Sequence, residues 1–200
     1  MGSLEALNQT FFLSINARPD TPAGVISLVI AVANDLILLI PLLLLAVWLW
    51  GDEHLRNVAI KSCVVTLIAL GLNQLIGLVW QHPRPLAMGL GHTFMAHALD
   101  SSFPSDHITV FSAIGFSFLL GGLRYLGLLT LLAGFVVAWA RVFLGVHFPL
   151  DMVGAVVVAG VTYFLFIPVW SVGGGWVMQA ALIAYRKIFA WPISSGWVRH

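Results

Sequence analysis

Charged residues are scarce in this chain: nine Lys or Arg and eight Asp or Glu make up 8% of its 200 residues. A soluble domain of this size carries more charge than that, and far fewer apolar residues than the 60% found here. The net charge of +1 gives no sign of a nucleic-acid partner. The composition therefore predicts a polytopic membrane protein.

Cysteine is also nearly absent. Cys63 is the single one, so the chain forms no internal disulfide, and its apolar neighbours indicate a small packing residue. The first 20 residues include Glu5 and Asp20 and lack a basic segment ahead of an apolar stretch, so no cleavable signal peptide is predicted.

Long apolar runs set the predicted architecture, an all-α membrane bundle of five or six spans of about 20 residues each. The spans are predicted within 23–50, 58–80, 105–122, 125–145 and 149–170. Pro41 predicts a kink in the first. The glycine run 173–175 is expected to end the fifth, which leaves 173–200 as an interfacial helix, the preferred alternative, or as a sixth span.

An amphipathic segment precedes the spans. Leu4, Leu7, Phe11 and Ile15 recur at helical spacing, which predicts a helix lying at the membrane interface within residues 1–20. No internal repeat is visible, so we interpret residues 1–200 as one integral-membrane domain.

Three polar islands interrupt the apolar sequence, at 82–85 (HPRP), 104–107 (PSDH) and 141–151 (RVFLGVHFPLD). The first follows span two, the second precedes span three, and the third joins spans four and five. Alternating spans place all three at one membrane face, so we expect the region 82–151 to form a single site.

The residue types in the islands are those of a phosphate site. Arg84 and Arg141 each offer a planar fork of donors to phosphate oxygens, although an arginine at a span end can also snorkel to the headgroups. Ser105 lies at a helix N-terminus, which favours an anion, or is a plain cap. Asp106 suits the helix dipole but repels phosphate, so its carboxylate is expected to point away from the substrate, toward Arg84 or the loop.

His147 and Asp151 lie four residues apart around Pro149. A carboxylate on one ring nitrogen fixes the tautomer and leaves the other nitrogen free to attack, whereas the simpler alternative is that Asp151 only caps span five. His92, His97 and Asp100 in the long loop have irregular spacing, so we interpret that loop as solvated and expect no metal site.

The three islands together resemble the type-2 phosphatidic acid phosphatase superfamily. The pattern is Arg-Pro, then Pro-Ser-x-His, then Arg-x5-His-x3-Asp, in that order. The resemblance implies His147 as a nucleophile that forms a phosphohistidine, Asp151 as its orienting group, and His107 as the acid for the leaving group. It implies no metal or other cofactor. The substrate-binding residues that it implies are Arg84, Ser105, Asp106 and Arg141.

Three positions depart from the superfamily's usual pattern. Gly77 stands where the first motif usually has lysine, Asp106 stands in place of glycine, and Ala140 in place of serine. Phosphate binding must do without the lysine charge, or recruit Gln74, Gln81 or His82.

The flanking segments resemble the bacitracin-resistance type of undecaprenyl-diphosphatase, a branch of that superfamily. This implies removal of the terminal phosphate of a polyprenyl diphosphate lipid, which recycles the carrier for peptidoglycan synthesis. The alternatives are a broader lipid phosphatase acting on phosphatidate, phosphatidylglycerophosphate or lipid A, and a lipid phosphotransferase. Outside enzymes, a transporter or a lipid-binding scaffold remains, but a transporter would hold its charges at the midplane rather than at span ends.

Basic residues predict the orientation. With five spans, the island face holds Arg18, Arg84 and Arg141, and the other six basic residues that we assign to a face lie opposite: Arg56, Lys61, Arg124, Arg186, Lys187 and Arg199. The positive-inside rule then places the islands outside the cytoplasm. In the bacterial setting that the resemblance implies, this is the outer face of the inner membrane. Membrane lipids are the other expected partners, and the sequence predicts no oligomeric state.

Overall fold

The computed structural model describes residues 2–96 and 100–199. In this part of the chain every regular element is helical, which confirms the prediction of an all-α membrane bundle. In chain order the α-helices are α1 (Ser3–Ile15), α2 (Ala23–Asp35), α3 (Leu39–Trp50), α4 (Glu53–Val79), α5 (Asp106–Leu120), α6 (Arg124–Phe143), α7 (Pro149–Ile188) and α8 (Ala190–Ser194). Short 3-10 turns lie at Leu36–Leu38 and Leu86–Met88.

Four stretches of the described chain are long and apolar enough to cross a membrane: Ala23–Trp50, Glu53–Val79, Arg124–Phe143 and Pro149–Ile188. The protein is therefore a multi-pass membrane protein. The third predicted span, α5, is apolar but has only 15 residues. Nine of them are buried, because α4, α6 and α7 surround this helix.

Glycines bring α5 and α6 close together, which fixes the distance between the second and third islands. A Cβ at Gly134 would lie 2.7 Å from the Cβ of Phe111, and one at Gly127 would lie 2.5 Å from the backbone N of Leu119. Small residues at such contacts are how membrane helices approach each other. Arg141, in the last turn of α6, is thereby held beside the N-terminus of α5.

The first span is interrupted where the sequence predicts a kink. The 3-10 turn Leu36–Leu38 separates α2 from α3 one turn before Pro41. Proline has no N–H for the preceding turn, and its ring crowds the carbonyl four residues back, at Ile37.

The glycine run 173–175 does not end a helix, so that prediction is wrong. α7 continues unbroken for 40 residues, roughly 60 Å. Gly174 is buried against Trp170, and a Cβ there would lie 2.7 Å from the indole ring. Tight packing against Trp170 thus explains the glycine at 174. The segment 173–200, predicted to be separate, is for the most part the end of α7, followed by the short α8.

The end of α7 packs at the membrane face opposite the islands. The buried guanidinium of Arg56 lies 4.6 Å from the ring centroid of Tyr185 and donates to the backbone oxygens of Trp48 (2.9 Å) and Arg199 (2.6 Å). These contacts join the α3–α4 connection to the C-terminal segment.

The N-terminal helix α1 forms close to its predicted range and has two different sides. Leu4, Leu7 and Phe11 are exposed, as expected for a helix at an interface. Asn8 and Phe12 are buried against the bundle, a docking side that the apolar spacing did not indicate.

Candidate active site

A cavity of about 650 Å³ opens where the three polar islands meet. Residues of all three line it: His82, Arg84, Pro104, Asp106, His107, Arg141 and His147. Two of the predicted site residues lie just behind this lining. Asp151 is completely buried next to His147, and the backbone N–H of the equally buried Ser105 donates to the backbone oxygen of Asp151 (3.3 Å).

His147 lies on the tight connection between α6 and α7. Gly145 has a φ of +78°, a conformation that favours glycine, and a Cβ there would collide with the backbone oxygen of His92. The N–H of Val146 then donates to the oxygen of Arg141 (3.0 Å), which closes the turn. Pro149 begins α7, so Asp151 falls in its first turn.

Asp151 both caps α7 and contacts His147, so the two alternatives from the sequence are compatible. Its Oδ2 accepts from the backbone N–H of Phe148 (2.8 Å) and lies 3.2 Å from Nδ1 of His147. The same oxygen accepts a short hydrogen bond from Ser102 Oγ. Ser102 is completely buried and is held by its backbone N–H, which donates to the oxygen of His82 (2.8 Å).

Burial lowers the pKa of His147 to about 4, and this effect outweighs the hydrogen bond and charge of Asp151, which raise it. The ring is therefore neutral at pH 7. With Asp151 as acceptor, the proton lies on Nδ1, and Nε2 carries the lone pair. Nε2 is 3.2 Å from Nη1 of Arg84, a donor that suits this tautomer. A neutral ring nitrogen with a lone pair can act as a nucleophile, and a neighbouring guanidinium can neutralise a bound anion.

Arg84 is fixed inside the protein and does not snorkel to the surface. Its side chain is buried, and Asp100 Oδ1 accepts from both Nε (2.9 Å) and Nη2 (2.8 Å). The backbone oxygens of Val146 (3.1 Å) and Ser101 (3.3 Å) accept further bonds. Asp100, which the sequence placed in a solvated loop, is thus a partner of the site.

Arg141 is almost entirely buried at the end of α6. Its Nη1 donates to the backbone oxygen of Ala33 (3.2 Å), in the last turn of α2. Carbonyl groups at a helix C-terminus carry partial negative charge, so this contact suits a guanidinium. The side chain also lines the cavity, which leaves two buried arginines facing the same space.

Asp106 points toward α4, so the expectation that it would approach Arg84 or the loop is wrong. Its carboxylate accepts from Asn73 Nδ2 (2.8 Å) and Gln74 Nε2 (3.2 Å), and the same Asn73 amide donates to Thr109 Oγ1 (2.9 Å). These bonds hold the first turn of α5 against α4. His107, the next residue, lines the cavity.

Gly77, where the superfamily usually has lysine, lies close to the loop residue Ser101. Gly77 lines the cavity, and a Cβ there would lie 3.3 Å from the Cβ of Ser101. A side chain in this place would require the Ser101 side chain to shift by a few tenths of an ångström. All three substitutes that the sequence offered line the same cavity: Gln74, Gln81 and His82.

Helix α1 and the residue that follows it, Asn16, contact the connection between α6 and α7 that carries His147. Asn8 Oδ1 accepts from the backbone N–H of Leu150 (3.0 Å), and the rings of Phe12 and Phe148 pack edge to face at 5.2 Å. At the other end of the connection, Asn16 Nδ2 donates to the oxygen of Phe143 (3.0 Å). The spacing of apolar residues did not indicate this contact, because Asn8 and Asn16, which make its hydrogen bonds, are polar.

Within residues 2–96 and 100–199, no group of three or more His, Cys, Asp or Glu side chains is arranged to hold a metal ion. His97, one member of the loop group considered from the sequence, lies outside the described residues.

The part of the chain that forms this cavity is similar to known proteins. The model of the PAP2 superfamily matches residues 58–173, which include all three islands. The chain is 39% identical to Escherichia coli (strain K12) YbjG, whose name provisionally assigns it as an undecaprenyl-diphosphatase, over 98% of this chain and 99% of that protein. It is 32% identical to the undecaprenyl-diphosphatase BcrC of Bacillus subtilis (strain 168), over 80% and 82% of the two chains. Among solved structures, a transmembrane PAP2-type phosphatidylglycerolphosphate phosphatase from Bacillus subtilis has the same fold, with a TM-score of 0.59 at 15% identity, over 82% of this chain and 85% of that one.

Proposed function

The chain belongs to the PAP2 superfamily, and within it we propose that the protein is an undecaprenyl-diphosphate phosphatase. The observation that carries the proposal is the placement of His147, with Nδ1 toward Asp151 and Nε2 beside Arg84 at the wall of the cavity. The names of the relatives at 39% and 32% identity supply the substrate.

The reaction begins with in-line attack of His147 Nε2 on the terminal phosphorus. Arg84 and Arg141 neutralise the phosphoryl oxygens, so that the nucleophile can approach. As the N–P bond forms, the bond from phosphorus to the bridging oxygen breaks, and the lipid monophosphate leaves. The ring gains positive charge in this step, which the carboxylate of Asp151 stabilises.

The second half of the reaction regenerates the histidine. His107 protonates the leaving group in the first step and then accepts a proton from the water that attacks the phosphohistidine. Inorganic phosphate is released and His147 returns to its neutral form. Fixed arginines and a fixed nucleophile make positioning and charge stabilisation the main sources of catalysis.

The cellular role follows from the product. Undecaprenyl phosphate formed at the outer face of the bacterial inner membrane returns to peptidoglycan synthesis, and removal of the diphosphate withdraws the target of bacitracin. The excess of basic residues on the opposite face supports this orientation.

The test is phosphate release from undecaprenyl diphosphate by the purified protein in detergent, with EDTA present. We expect release by the wild type and none above background by His147→Ala. His92→Ala is the matched control, since this exposed histidine lies on the same face but outside the cavity lining. Release that persists in His147→Ala would contradict the assigned nucleophile, and no release by the folded wild type would contradict the function.

A further inference from the structure

The two carboxylate oxygens of Asp151 have very different surroundings. Oδ2 accepts from Ser102, Phe148 and His147, as described above. Oδ1 is buried and has no hydrogen-bond partner among the described residues. A buried carboxylate oxygen without a donor is destabilising, so a donor that comes within reach of Oδ1 stabilises the carboxylate.

A ring nitrogen of His82 lies near this oxygen. Its Nδ1 lies 4.0 Å from Asp151 Oδ1, and this nitrogen is itself buried without a hydrogen-bond partner in the part of the chain that the structure describes. A shift of about 1 Å brings the two atoms within hydrogen-bond distance. Contacts of this kind are often long before substrate binds and tighten in the complex.

The other face of the His82 ring is fixed by the N-terminal helix. Nε2 of His82 lies 3.5 Å from Oε2 of Glu5, and Gln9 donates to the second oxygen of Glu5 (3.1 Å). The ring also packs edge to face on Trp80 and Phe148, with centroids 5.6 Å away in both cases.

We propose that His82 is a positioning residue for phosphoryl transfer, whose Nδ1–H holds the second oxygen of Asp151 and thereby fixes the carboxylate that orients His147. Glu5 fixes His82 in turn, so the chain of contacts runs from α1 through His82 and Asp151 to the nucleophile. This inference rests on the proposed function, since it assigns a role within that reaction. His82 transfers no proton and forms no covalent bond.

The role requires Asp151 to remain ionised and in one rotamer while His147 gains positive charge. Three donors on Oδ2 hold one oxygen but allow the carboxylate plane to rotate around it. A donor on Oδ1 removes that freedom, which is why loss of His82 should lower kcat rather than substrate affinity.

Two amide substitutions separate this role from packing. In His82→Asn the amide nitrogen takes approximately the place of Nδ1 and keeps a donor toward Asp151. In His82→Gln the amide nitrogen takes approximately the place of Nε2 and keeps a donor toward Glu5 alone. We expect His82→Asn to retain kcat within about threefold, and His82→Gln and His82→Ala to lose about 10- to 100-fold with little change in KM. The same pair of changes at His92 is the control and should leave kcat unchanged.

The kcat values of the His82 variants decide between a positioning role and a packing role. Equal kcat values for His82→Asn and His82→Gln would overturn the proposal, because a packing role does not distinguish the two amides. Wild-type activity in His82→Ala, or a fall in affinity with unchanged kcat, would also overturn it.

A second readout does not depend on the substrate. In protein labelled with ¹⁵N-histidine, the hydrogen-bonded Nδ1 proton of His147 should resonate far downfield in the wild type and in His82→Asn. It should move upfield or disappear in His82→Gln and His82→Ala. If the wild type hydrolyses no lipid diphosphate, the proposed function fails, and this resonance still decides whether His82 positions Asp151; an unchanged resonance in all variants would refute that role.

Discussion

Three side chains around the nucleophile have separate tasks that their positions explain. Asp151 contacts Nδ1 of His147, and Arg84 contacts Nε2, the nitrogen that we propose as the nucleophile. His107 lines the cavity at the start of α5. The first two are fixed by buried hydrogen bonds, so substitutions there disturb both the geometry and the charge of the site. His107 offers the cleaner test of a chemical role.

His107→Ala should impair hydrolysis of a lipid phosphate monoester more than that of a diphosphate. A diphosphate expels a phosphate monoester, whose second pKa is about 6, whereas a monoester must expel an alkoxide that needs a general acid. We expect the ratio of kcat/KM for diphosphate over monoester to rise by at least about tenfold, measured on undecaprenyl diphosphate and phosphatidate. Equal losses on both substrates would contradict the acid role.

The pKa of about 4 for His147 predicts an unusual pH dependence. Above that value the free enzyme holds a neutral nucleophile, so the acid limb of kcat/KM that His147 sets should lie well below 6.5, the ordinary pKa of histidine. Between pH 6.5 and 4 the unfolded chain binds a proton at this ring that the folded protein does not, so the free energy of unfolding falls as the pH is lowered through that window. Thermal unfolding of the wild type and His147→Asn at pH 5 and pH 7.5 checks the sign, since the variant should lose less stability on acidification.

The sequence identified the side chains that we propose as catalytic and missed several of the residues that hold them in place. Arg84, His107, Arg141, His147 and Asp151 were predicted from three spaced motifs, and the structure places them together. Ser102, Asp100 and Asn8 had no signal, because a lone polar residue in a loop or on a helix acquires its role only through contacts distant in sequence. Asp106 was assigned the wrong neighbour for the same reason, since its partners lie on α4.

At the scale of single elements, α1 stabilises the connection between α6 and α7. Its polar docking side holds Leu150 and Phe143, the residues that flank the turn of His147. The opposite side exposes Leu4, Leu7 and Phe11. The helix therefore contacts the α6–α7 connection on one side and exposes apolar side chains on the other.

Asn8→Ala should lower both stability and activity. The change leaves the backbone N–H of Leu150 without its partner, at a cost of about 1–3 kcal/mol in the free energy of unfolding, and loosens the first turn of α7. Leu7→Ala, an exposed neighbour, is the control and should change kcat little. Thermal unfolding and phosphate release in the same detergent measure both quantities; equal effects of the two changes would argue against a stabilising role for α1.

The glycine run in α7 gives a second test at this scale. Nothing lies within 4 Å of a Cβ built at Gly173 or Gly175, whereas one at Gly174 meets Trp170. Because alanine is favoured over glycine within a helix by about 1 kcal/mol, Gly173→Ala and Gly175→Ala should raise the thermal midpoint. Gly174→Ala should lower it, and a rise at all three positions would mean that Trp170 moves aside without cost.

At the scale of the whole molecule, hydrophobic run length predicted the bundle well because the lipid bilayer leaves few alternatives to helices. Four of the five predicted spans came out close to their predicted ranges: the interrupted first span, α4, α5 and α6. The end of α7 could not be predicted, because the run of three glycines is a breaker by local preference and a packing solution only once Trp170 lies beside it.

The lone cysteine makes the orientation of the whole molecule measurable. In a Cys63→Ser background, Asp20→Cys lies exposed on the island face and Glu53→Cys lies exposed on the opposite face. If the islands face outward, a membrane-impermeant maleimide added to intact cells labels the first and not the second. The reverse pattern would place the active site in the cytoplasm.

The shortness of α5 sets the depth of the reaction. At 15 residues this helix is roughly 22 Å long, against the ~30 Å of a bilayer's hydrocarbon core, and its first residue meets α4 at Asn73, about 9 Å before α4 ends. The first residue of α5 therefore lies about 9 Å below the end of the neighbouring α4, measured along α4. A lipid whose phosphates reach this depth keeps its hydrocarbon tail in the bilayer throughout turnover. The enzyme therefore does not need to extract its substrate from the membrane.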